Sequence, residues 1–183
     1  MTEKDFSGYE KLVDYLHSLS ILKFRKREGW LSINIHGDNC ETIAAHSFRV
    51  GIIAYHLAIL KGIPRDEAMR IGFIALNHDL EETKLGDLTP AQKKYIKADR
   101  KKACEDSLYD KELANDLEDH RELINDADKL DMVLQAKEYV DVGNRYAIDW
   151  LKSGKALLKS KEARYLAELI ESIDSKKWVF RDE

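Results

Sequence analysis

A histidine followed directly by an aspartate, His78-Asp79, lies within an otherwise apolar stretch that has the periodicity of a helix. A charged or polar side chain buried without a partner costs several kcal/mol, so a helix that carries this pair needs compensating groups from its neighbours. Two further residues that are able to bind a metal occur in similar apolar settings, His46 upstream and Asp128 downstream. Three helices that each direct a ligand toward one divalent cation would supply the compensation.

Few residues interrupt helices in this chain. Only 2 of its 183 residues are Pro and 9 are Gly, which leaves long segments free of helix breakers. Hydrophobic residues make up 44% and charged residues 35%, as in globular proteins, and the length suits one domain with a sizeable core. We therefore predict a single all-α domain over residues 1–183, with a core at about 10–142 and C-terminal helices at about 144–174.

Apolar residues recur at spacings of three and four in several segments, and no strand-like alternation or internal repeat is evident. Residues 31–41 contain turn-forming residues and are predicted to be irregular. We predict helices at 8–21, 42–61, 66–82 and 121–141, and one or two helices in each of 91–120 and 144–174.

Charge and cysteine content exclude several classes of protein. The balance of 30 basic against 34 acidic residues, a net charge of −4, argues against a partner that is a nucleic-acid polymer. A local basic cluster at residues 23–27 remains compatible with a small anionic substrate. Two cysteines, Cys40 and Cys104, are too few and too far apart for a disulfide framework or a cysteine-based zinc site.

The longest apolar stretches are interrupted by His, Arg or Lys before they reach the ~18 residues that a membrane helix needs. The N-terminus shows no apolar region typical of a signal peptide. We therefore expect a cytoplasmic protein that has no membrane partner.

Each of the four candidate ligands also has a more ordinary interpretation. His46 alone is most simply a core histidine, and Asp128 alone is most simply a helix cap or an ion-pair partner. Together, His and carboxylate ligands suit divalent Mn, Fe, Co, Ni or Zn. The four residues His46, His78, Asp79 and Asp128 lie on apolar faces of three predicted helices, as a metal site inside a helical bundle requires.

Three segments resemble those of a known family. They are ETIAAHSFRV at 41–50, NHDLEETKLGD at 77–87 and ADKLDMVLQAKEY at 127–139. In order and spacing they are similar to the motifs of the HD-domain metal-dependent phosphohydrolases, and most closely to the 5′-deoxynucleotidase group. The resemblance extends over roughly residues 10–170. It implies an HD-domain helical bundle that forms a homodimer. It also implies one divalent metal ion, for which Co and Mn are favoured and Zn, Ni, Fe and Mg are alternatives.

The family pattern assigns the fourth metal ligand to Asp128 rather than to Asp131. Asp131 lies about one turn further along the predicted helix, where it either supports the site from behind or is a solvated or capping carboxylate. HD proteins that bind two irons have additional histidines between the His-Asp pair and the final Asp. Only His120 occurs in that interval here, which favours a single metal ion.

Two acidic residues that follow the pair are candidates for catalysis. Glu82 lies four residues after His78 and is expected on the same side of the helix, where its carboxylate can orient or deprotonate a water. Glu81 is expected to point into solvent. The resemblance also assigns Asp87 a role, either as a catalytic acid or as a contact to the sugar, although an aspartate that follows Gly86 is also typical of a turn.

The resemblance places a phosphate-binding arginine shortly before a tryptophan, which corresponds to Arg27 and Trp30. Arginine offers a planar fork that suits a phosphoryl group. Arg25 and Lys26 are rivals, and the basic cluster is otherwise a solvated turn. Trp30 either packs on the sugar or base of the substrate or belongs to the core.

The combined pattern predicts hydrolysis of nucleoside 5′-monophosphates, deoxyribonucleotides foremost, to nucleoside and phosphate. The alternatives are an HD-type phosphodiesterase or nucleotide pyrophosphohydrolase, and a metal-stabilised helical protein that binds without catalysing. Two departures from the family bear on nucleotide discrimination: a loop before His46 that is about two residues longer, and Ala45 where an acidic residue is usual.

Overall fold

The computed structural model describes residues 7–180. Within this range the chain forms ten α-helices, four short 3-10 helices and no strand, with one isolated bridge between Lys26 and Thr42. The predicted all-α class is therefore confirmed.

The α-helices account for nearly all the regular structure of the described chain. In chain order they are α1 Ser7–Ser18, α2 Glu28–Leu31, α3 Ile43–Leu60, α4 Arg65–Ala75, α5 Glu82–Leu85, α6 Arg100–Ser107, α7 Leu113–Asp119, α8 Arg121–Asp141, α9 Ala147–Leu157 and α10 Lys161–Ser172. The 3-10 helices are Leu19–Lys23, Gly37–Asn39, Gln92–Lys94 and Lys177–Phe180.

The helices are arranged in two compact units. The first unit contains the chain up to Ser47 together with Asn77–Asp119, and the second contains Phe48–Leu76 and the chain from His120 onward. The helix α3 begins in the first unit and continues into the second. A single domain over residues 1–183 stays a prediction.

In the first unit, the basic cluster is held beside the start of α3 by its backbone. The amide of Arg27 donates to the carbonyl oxygen of Glu41 at 2.9 Å, and the amide of Ile43 donates to the carbonyl oxygen of Arg25 at 2.9 Å. Exchange of hydrogen bonds between two extended segments fixes their register. The first buried apolar residue of α3, Ile43, and Trp30 of α2 are both fully enclosed.

In the second unit, small residues allow helices to approach closely. A Cβ atom on Gly154 of α9 would lie 2.7 Å from Val133 Cγ2 on α8, and a Cβ atom on Gly51 of α3 would lie 2.6 Å from Leu76 Cδ2. Both distances are shorter than packed carbon atoms tolerate. At the start of α10, the carboxylate of Asp126 accepts the backbone amides of Lys159 and Ser160 at 2.8 and 2.9 Å.

One predicted helix is wrong in its extent. The helix expected at 66–82 ends at Ala75, and residues 76–81 form tight turns before α5 begins. In these turns Leu80 donates to the carbonyl oxygen of Asn77 and Glu82 donates to that of Asp79, both over three residues rather than four. Asparagine competes with helical hydrogen bonding through its short polar side chain, which is consistent with a helix end at this point.

Helix α3 is the only helix in the described part of the chain that is long and apolar enough to cross a bilayer, and 44% of it is buried inside the protein. It also carries the fully buried His46, and its Arg49 forms ion pairs with Asp131 and Glu138. We therefore interpret α3 as a core helix.

Candidate active site

Three of the predicted metal ligands meet within the first unit. The Nε2 atom of His78 lies 3.2 Å from Asp79 Oδ2, and the Nε2 atom of His46 lies 3.5 Å from the same oxygen. The imidazole rings of the two histidines have centroids 5.1 Å apart. Adjacent residues in an α-helix diverge by about 100°, whereas the tight turn allows His78 and Asp79 to face a common point.

The carboxylate of Asp79 is held in its ionised form. Burial alone would raise its pKa, but the charge of His78 and hydrogen bonds from His46 and His78 together hold the pKa of Asp79 well below its usual range. A carboxylate that stays negative beside two imidazoles is ready to bind a cation.

This donor set fits a divalent metal ion. The ring nitrogens of His46 and His78 come within 4.8 Å of each other, a separation that one ion can bridge. Two imidazoles and a carboxylate are the ligand types that suit borderline divalent ions. The predicted fourth ligand, Asp128, lies on α8 of the second unit, where it is partly buried and its Oδ2 accepts a hydrogen bond from Lys129 Nζ at 2.6 Å. Its ligand role stays a prediction from the sequence.

Glu82 is the first residue of α5, and only 3% of it is exposed to solvent. Its Oε2 atom is buried and accepts no hydrogen bond from the described residues. Burial raises the pKa of Glu82 to about 9, the charges of Asp79 and Asp87 add to the rise, and Arg27 opposes it. The effect of the charge of Asp79 on the pKa of Glu82 agrees with the predicted proximity of Glu82 to His78-Asp79. A turn at residues 76–81, rather than a continuous helix, positions Glu82 there.

The expectation that Glu81 points into solvent is wrong. Glu81 is buried, and Arg100, the first residue of α6, donates a hydrogen bond to its Oε1 atom. Burial and the charge of Asp79 raise the pKa of Glu81, while Arg100 opposes the rise. Nothing in the local pattern around Glu81 could reveal this pair, because its partner lies 19 residues away in the chain.

The basic cluster separates into three different roles. Arg25 donates to the backbone carbonyl oxygen of Glu82, and Lys26 Nζ donates to that of Cys40 at 2.9 Å. Arg27 Nη1 lies 3.3 Å from Asp79 Oδ2. Of the three rivals, Arg27 is therefore the one whose side chain reaches a carboxylate of the proposed metal site, while Arg25 and Lys26 bind backbone.

Trp30 belongs to the core. Only 2% of it is exposed, and its indole Nε1 donates to Glu41 Oε2 at 2.9 Å. The structure therefore favours the core interpretation over a contact with substrate. Glu41 was not singled out from the sequence, yet its carboxylate comes within 4.8 Å of a ring nitrogen of His46. Trp30 thus orients a carboxylate beside a proposed ligand.

Asp87 connects α5 to α2. Its Oδ2 atom accepts the backbone amide of Glu28 at 2.7 Å, and the preceding Gly86 has a φ of 74° that turns the chain sharply. A positive φ of this size favours glycine. Because Glu28 directly follows Arg27, this bond also fixes the backbone that carries the candidate phosphate-binding arginine.

In the second unit, Asp131 is fully buried and is neither a solvated carboxylate nor a cap. Arg49 donates to Asp131 through Nε, to Glu138 through Nη1 at 2.8 Å, and to Gln135 through Nη2 at 2.9 Å. One guanidinium of α3 therefore binds three successive turns of α8. This network supports the view that Asp131 has a structural task that differs from the one predicted for Asp128.

Comparisons with known proteins point to one family. The family model described as HD domain matches residues 19–123. The 5′-deoxynucleotidase hdd1 of Schizosaccharomyces pombe is 30% identical over 149 residues, which cover 70% of this chain and 72% of the relative. The 5′-deoxynucleotidase YGK1 of Saccharomyces cerevisiae is 37% identical over 76 residues, but these cover only 42% of this chain and 33% of the yeast protein.

Solved structures show the same fold over most of the chain. The structural-genomics protein APC5600 superimposes with a TM-score of 0.82 at 30% identity, covering 94% of this chain and 99% of that one. A conserved hypothetical protein from Pyrococcus furiosus superimposes with a TM-score of 0.70 at 32% identity, covering 87% and 97%.

Proposed function

The chain belongs to the HD-domain family, and we propose that it is a metal-dependent hydrolase that releases phosphate from nucleoside 5′-monophosphates, deoxyribonucleotides foremost. The observation that carries the proposal is the convergence of His46 and His78 on the ionised Asp79, with the buried Glu82 close by in the chain. Relatives that bear the name 5′-deoxynucleotidase support this choice of substrate.

A divalent ion bound by His46, His78 and Asp79, with Asp128 as the fourth ligand predicted from the sequence, would polarise the phosphoryl group and make a nearby water more acidic. We propose Co or Mn as this ion, and Zn, Ni, Fe or Mg as alternatives, because the ligand types alone do not select among them.

Glu82 is proposed to take the proton of the attacking water. With a pKa of about 9 in the metal-free chain, this carboxyl would hold a proton at neutral pH. The positive charge of a bound divalent ion would lower the pKa of Glu82 toward neutrality, where a general base is most effective. Its burial keeps bulk water from competing for the same oxygen. Arg25 fixes this residue in place through the backbone carbonyl oxygen of Glu82.

Arg27 is proposed to bind the phosphoryl oxygens and to offset the negative charge that develops during the reaction. As water adds to phosphorus, the bond to the 5′-oxygen breaks and that oxygen needs a proton. Asp87 is proposed to supply this proton, or to contact the 3′-hydroxyl of the sugar. The amide of Glu28 holds one of its oxygens in place at 2.7 Å, which leaves Asp87 little rotational freedom.

The test is a panel of deoxynucleoside monophosphates, ribonucleoside monophosphates, cyclic nucleotides and deoxynucleoside triphosphates, each assayed with Mn, Co, Mg and Zn. We expect orthophosphate and a nucleoside from the monophosphates, with faster release from the deoxyribonucleotides. Release of pyrophosphate from triphosphates, or opening of a cyclic nucleotide without orthophosphate, would instead indicate a pyrophosphohydrolase or a phosphodiesterase. Absence of any product with every metal would contradict the proposal.

We also propose that the protein is a cytoplasmic homodimer. Apolar side chains of α9 and α10 support an interface: Leu157 and Tyr165 are exposed, while Leu151 and Leu158 close the core of the second unit instead. Light scattering after size-exclusion chromatography should give twice the mass of 21.1 kDa. A mass of one chain at micromolar concentration would contradict the dimer without affecting the proposed activity.

A further inference from the structure

The segment between Asp87 and α6 carries a concentrated positive charge. Six of the ten residues at 93–102 are Lys or Arg, against the single acidic residue Asp99, although the whole chain has a net charge of −4. Tyr95, in the middle of this segment, is 88% exposed. A surface that concentrates one sign of charge creates a local potential that attracts ligands of the opposite sign.

Both ends of this segment are fixed to the candidate active site. At its start, Asp87 accepts the amide of Glu28, and the side chain of Gln92 accepts the amide of Thr89 at 2.7 Å. At its end, Arg100 binds Glu81, which lies between Asp79 and Glu82 in the chain. The basic residues in between therefore stay close to the acidic turn even though they lie outside it.

Four of the five lysines of this segment have no acidic partner among the described residues, and three of them precede α6. Lys93, Lys94 and Lys97 are exposed, and no carboxylate of the described residues lies within ion-pair distance of them. Their neighbours differ, because Arg100 binds Glu81 and Lys101 Nζ lies 3.9 Å from Glu105 Oε1. The charge of the three lysines is therefore available to act on a ligand.

The acidic turn creates a need for such charge. Residues 79–87 contain four carboxylates, those of Asp79, Glu81, Glu82 and Asp87, against the single Lys84. A phosphate monoester approaches as a dianion and is repelled by carboxylates. Lys97 is three residues from Arg100, so their Cα atoms are at most about 11 Å apart. Arg100 in turn binds Glu81 of the acidic turn. At an ionic strength of about 20 mM the Debye length is roughly 20 Å, so at low salt the charge of Lys97 acts on an anion that approaches this turn.

We propose that Lys93, Lys94 and Lys97 steer the nucleoside monophosphate toward the active site by long-range electrostatic attraction. The proposal rests on the proposed function of that site. In this proposal the lysines act before the ligand binds, so they accelerate association without altering the chemical step. Charged side chains arranged in this way raise association rates by tenfold or more in proteins where the effect has been isolated.

The test is the association rate constant of 2-aminopurine deoxyriboside 5′-monophosphate, followed by stopped-flow fluorescence with the metal-loaded protein at about 20 mM and about 0.2 M ionic strength. The triple variant Lys93→Gln, Lys94→Gln, Lys97→Gln should associate about three- to tenfold more slowly at low salt. Its rate should depend less on salt than that of the wild type, with the dissociation rate and kcat unchanged.

The matched control is the triple variant Lys61→Gln, Lys152→Gln, Lys176→Gln, which removes the same charge from exposed sites of the second unit. It should retain the association rate and salt dependence of the wild type. Equal association rate constants for the two triple variants would overturn the proposal. It would also be overturned if the Lys93, Lys94 and Lys97 variant lost binding to a single-stranded oligonucleotide while its association with the mononucleotide was unchanged. A wild type that shows lysine-dependent association but releases no phosphate would contradict the proposed hydrolysis alone.

Discussion

Glu82 combines burial, an elevated pKa and a position three residues after a proposed metal ligand. Glu81 is also buried and also has a raised pKa, but Arg100 binds its carboxylate. We therefore propose Glu82 rather than Glu81 as the general base. The two adjacent glutamates differ in their hydrogen bonds. Arg100 donates to Glu81, whereas Glu82 Oε2 receives no hydrogen bond from the described residues.

Replacement of Glu82 with Gln should lower kcat for phosphate release by about 10²- to 10⁴-fold, because the amide cannot take the proton of the attacking water. The metal content of the purified protein should remain that of the wild type, since Glu82 is not a proposed ligand. The exposed Glu112→Gln variant on the same unit serves as control and should keep full activity. An active Glu82→Gln protein would remove the base from the mechanism.

The elevated pKa of Glu82 also predicts how the stability of the metal-free protein depends on pH. The pKa rises from an ordinary 4.5 to about 9 in the folded chain, so between these values the folded state binds more protons than the unfolded state. The free energy of unfolding should therefore fall as pH rises through this interval. Comparison of Tm with Glu82→Gln isolates the effect: the variant should gain stability relative to the wild type as pH increases from 5 to 9. A constant difference in Tm would contradict the assigned pKa.

Arg27 differs from its basic neighbours in reaching Asp79 rather than a backbone carbonyl oxygen. Replacement with Ala should reduce kcat/KM by about 10²-fold or more, because the phosphoryl group loses a charge-assisted contact. Arg27→Lys should recover only part of the loss, since an ammonium group cannot form the planar, bidentate contact. The Arg65→Ala variant, which changes an exposed arginine of the second unit, is the control and should behave as the wild type.

At the scale of helices, regular periodicity was sufficient to place the long elements. The predictions 42–61 and 121–141 correspond closely to Ile43–Leu60 and Arg121–Asp141. The helix predicted at 66–82 is too long, because the apolar residues keep their helical spacing past Ala75 whereas the helical backbone hydrogen bonds end there. Periodicity reports which side chains are buried, and a compact turn can bury the same residues as a helix.

Pairs that join distant parts of the chain could not be predicted from the sequence. Arg100 with Glu81, Trp30 with Glu41 and Arg49 with Asp131 each connect residues that are far apart along the chain or lie on different elements. Each pair needs the tertiary fold before its partners are defined. The metal ligands were more accessible, because His and Asp in apolar surroundings stand out locally.

The close contact between α8 and α9 gives a test at the same scale. A Cβ atom on Gly154 would lie 2.7 Å from Val133 Cγ2, so Gly154→Ala should lower the free energy of unfolding by about 1–3 kcal/mol. Gly8→Ala on α1 is the matched control, because nothing lies within 4 Å of an added Cβ and alanine favours helices. It should leave stability unchanged or raise it by about 0.5 kcal/mol. Denaturant unfolding measures both, and equal stabilities would contradict the packing of Gly154.

At the scale of the whole molecule, we propose that one divalent ion per chain, with Asp128 among its ligands, enables phosphate release. Acidic and basic residues are distributed so that the carboxylates lie in the turn at 79–87 and the exposed lysines lie beside it at 93–97. This distribution suits a protein that must hold a cation and admit an anion. It also explains why a net charge of −4 is compatible with an anionic substrate.

The most direct test titrates metal-free protein with Mn or Co while phosphate release from a deoxynucleoside monophosphate is measured. Activity should be absent at the start, rise linearly and saturate at one equivalent of metal per chain. Asp128→Asn should require about 10- to 100-fold more metal to reach saturation, the loss typical of a weakened metal site. Phosphate release that is independent of added metal, saturation at two equivalents, or an Asp128→Asn titration identical to that of the wild type would contradict the claim.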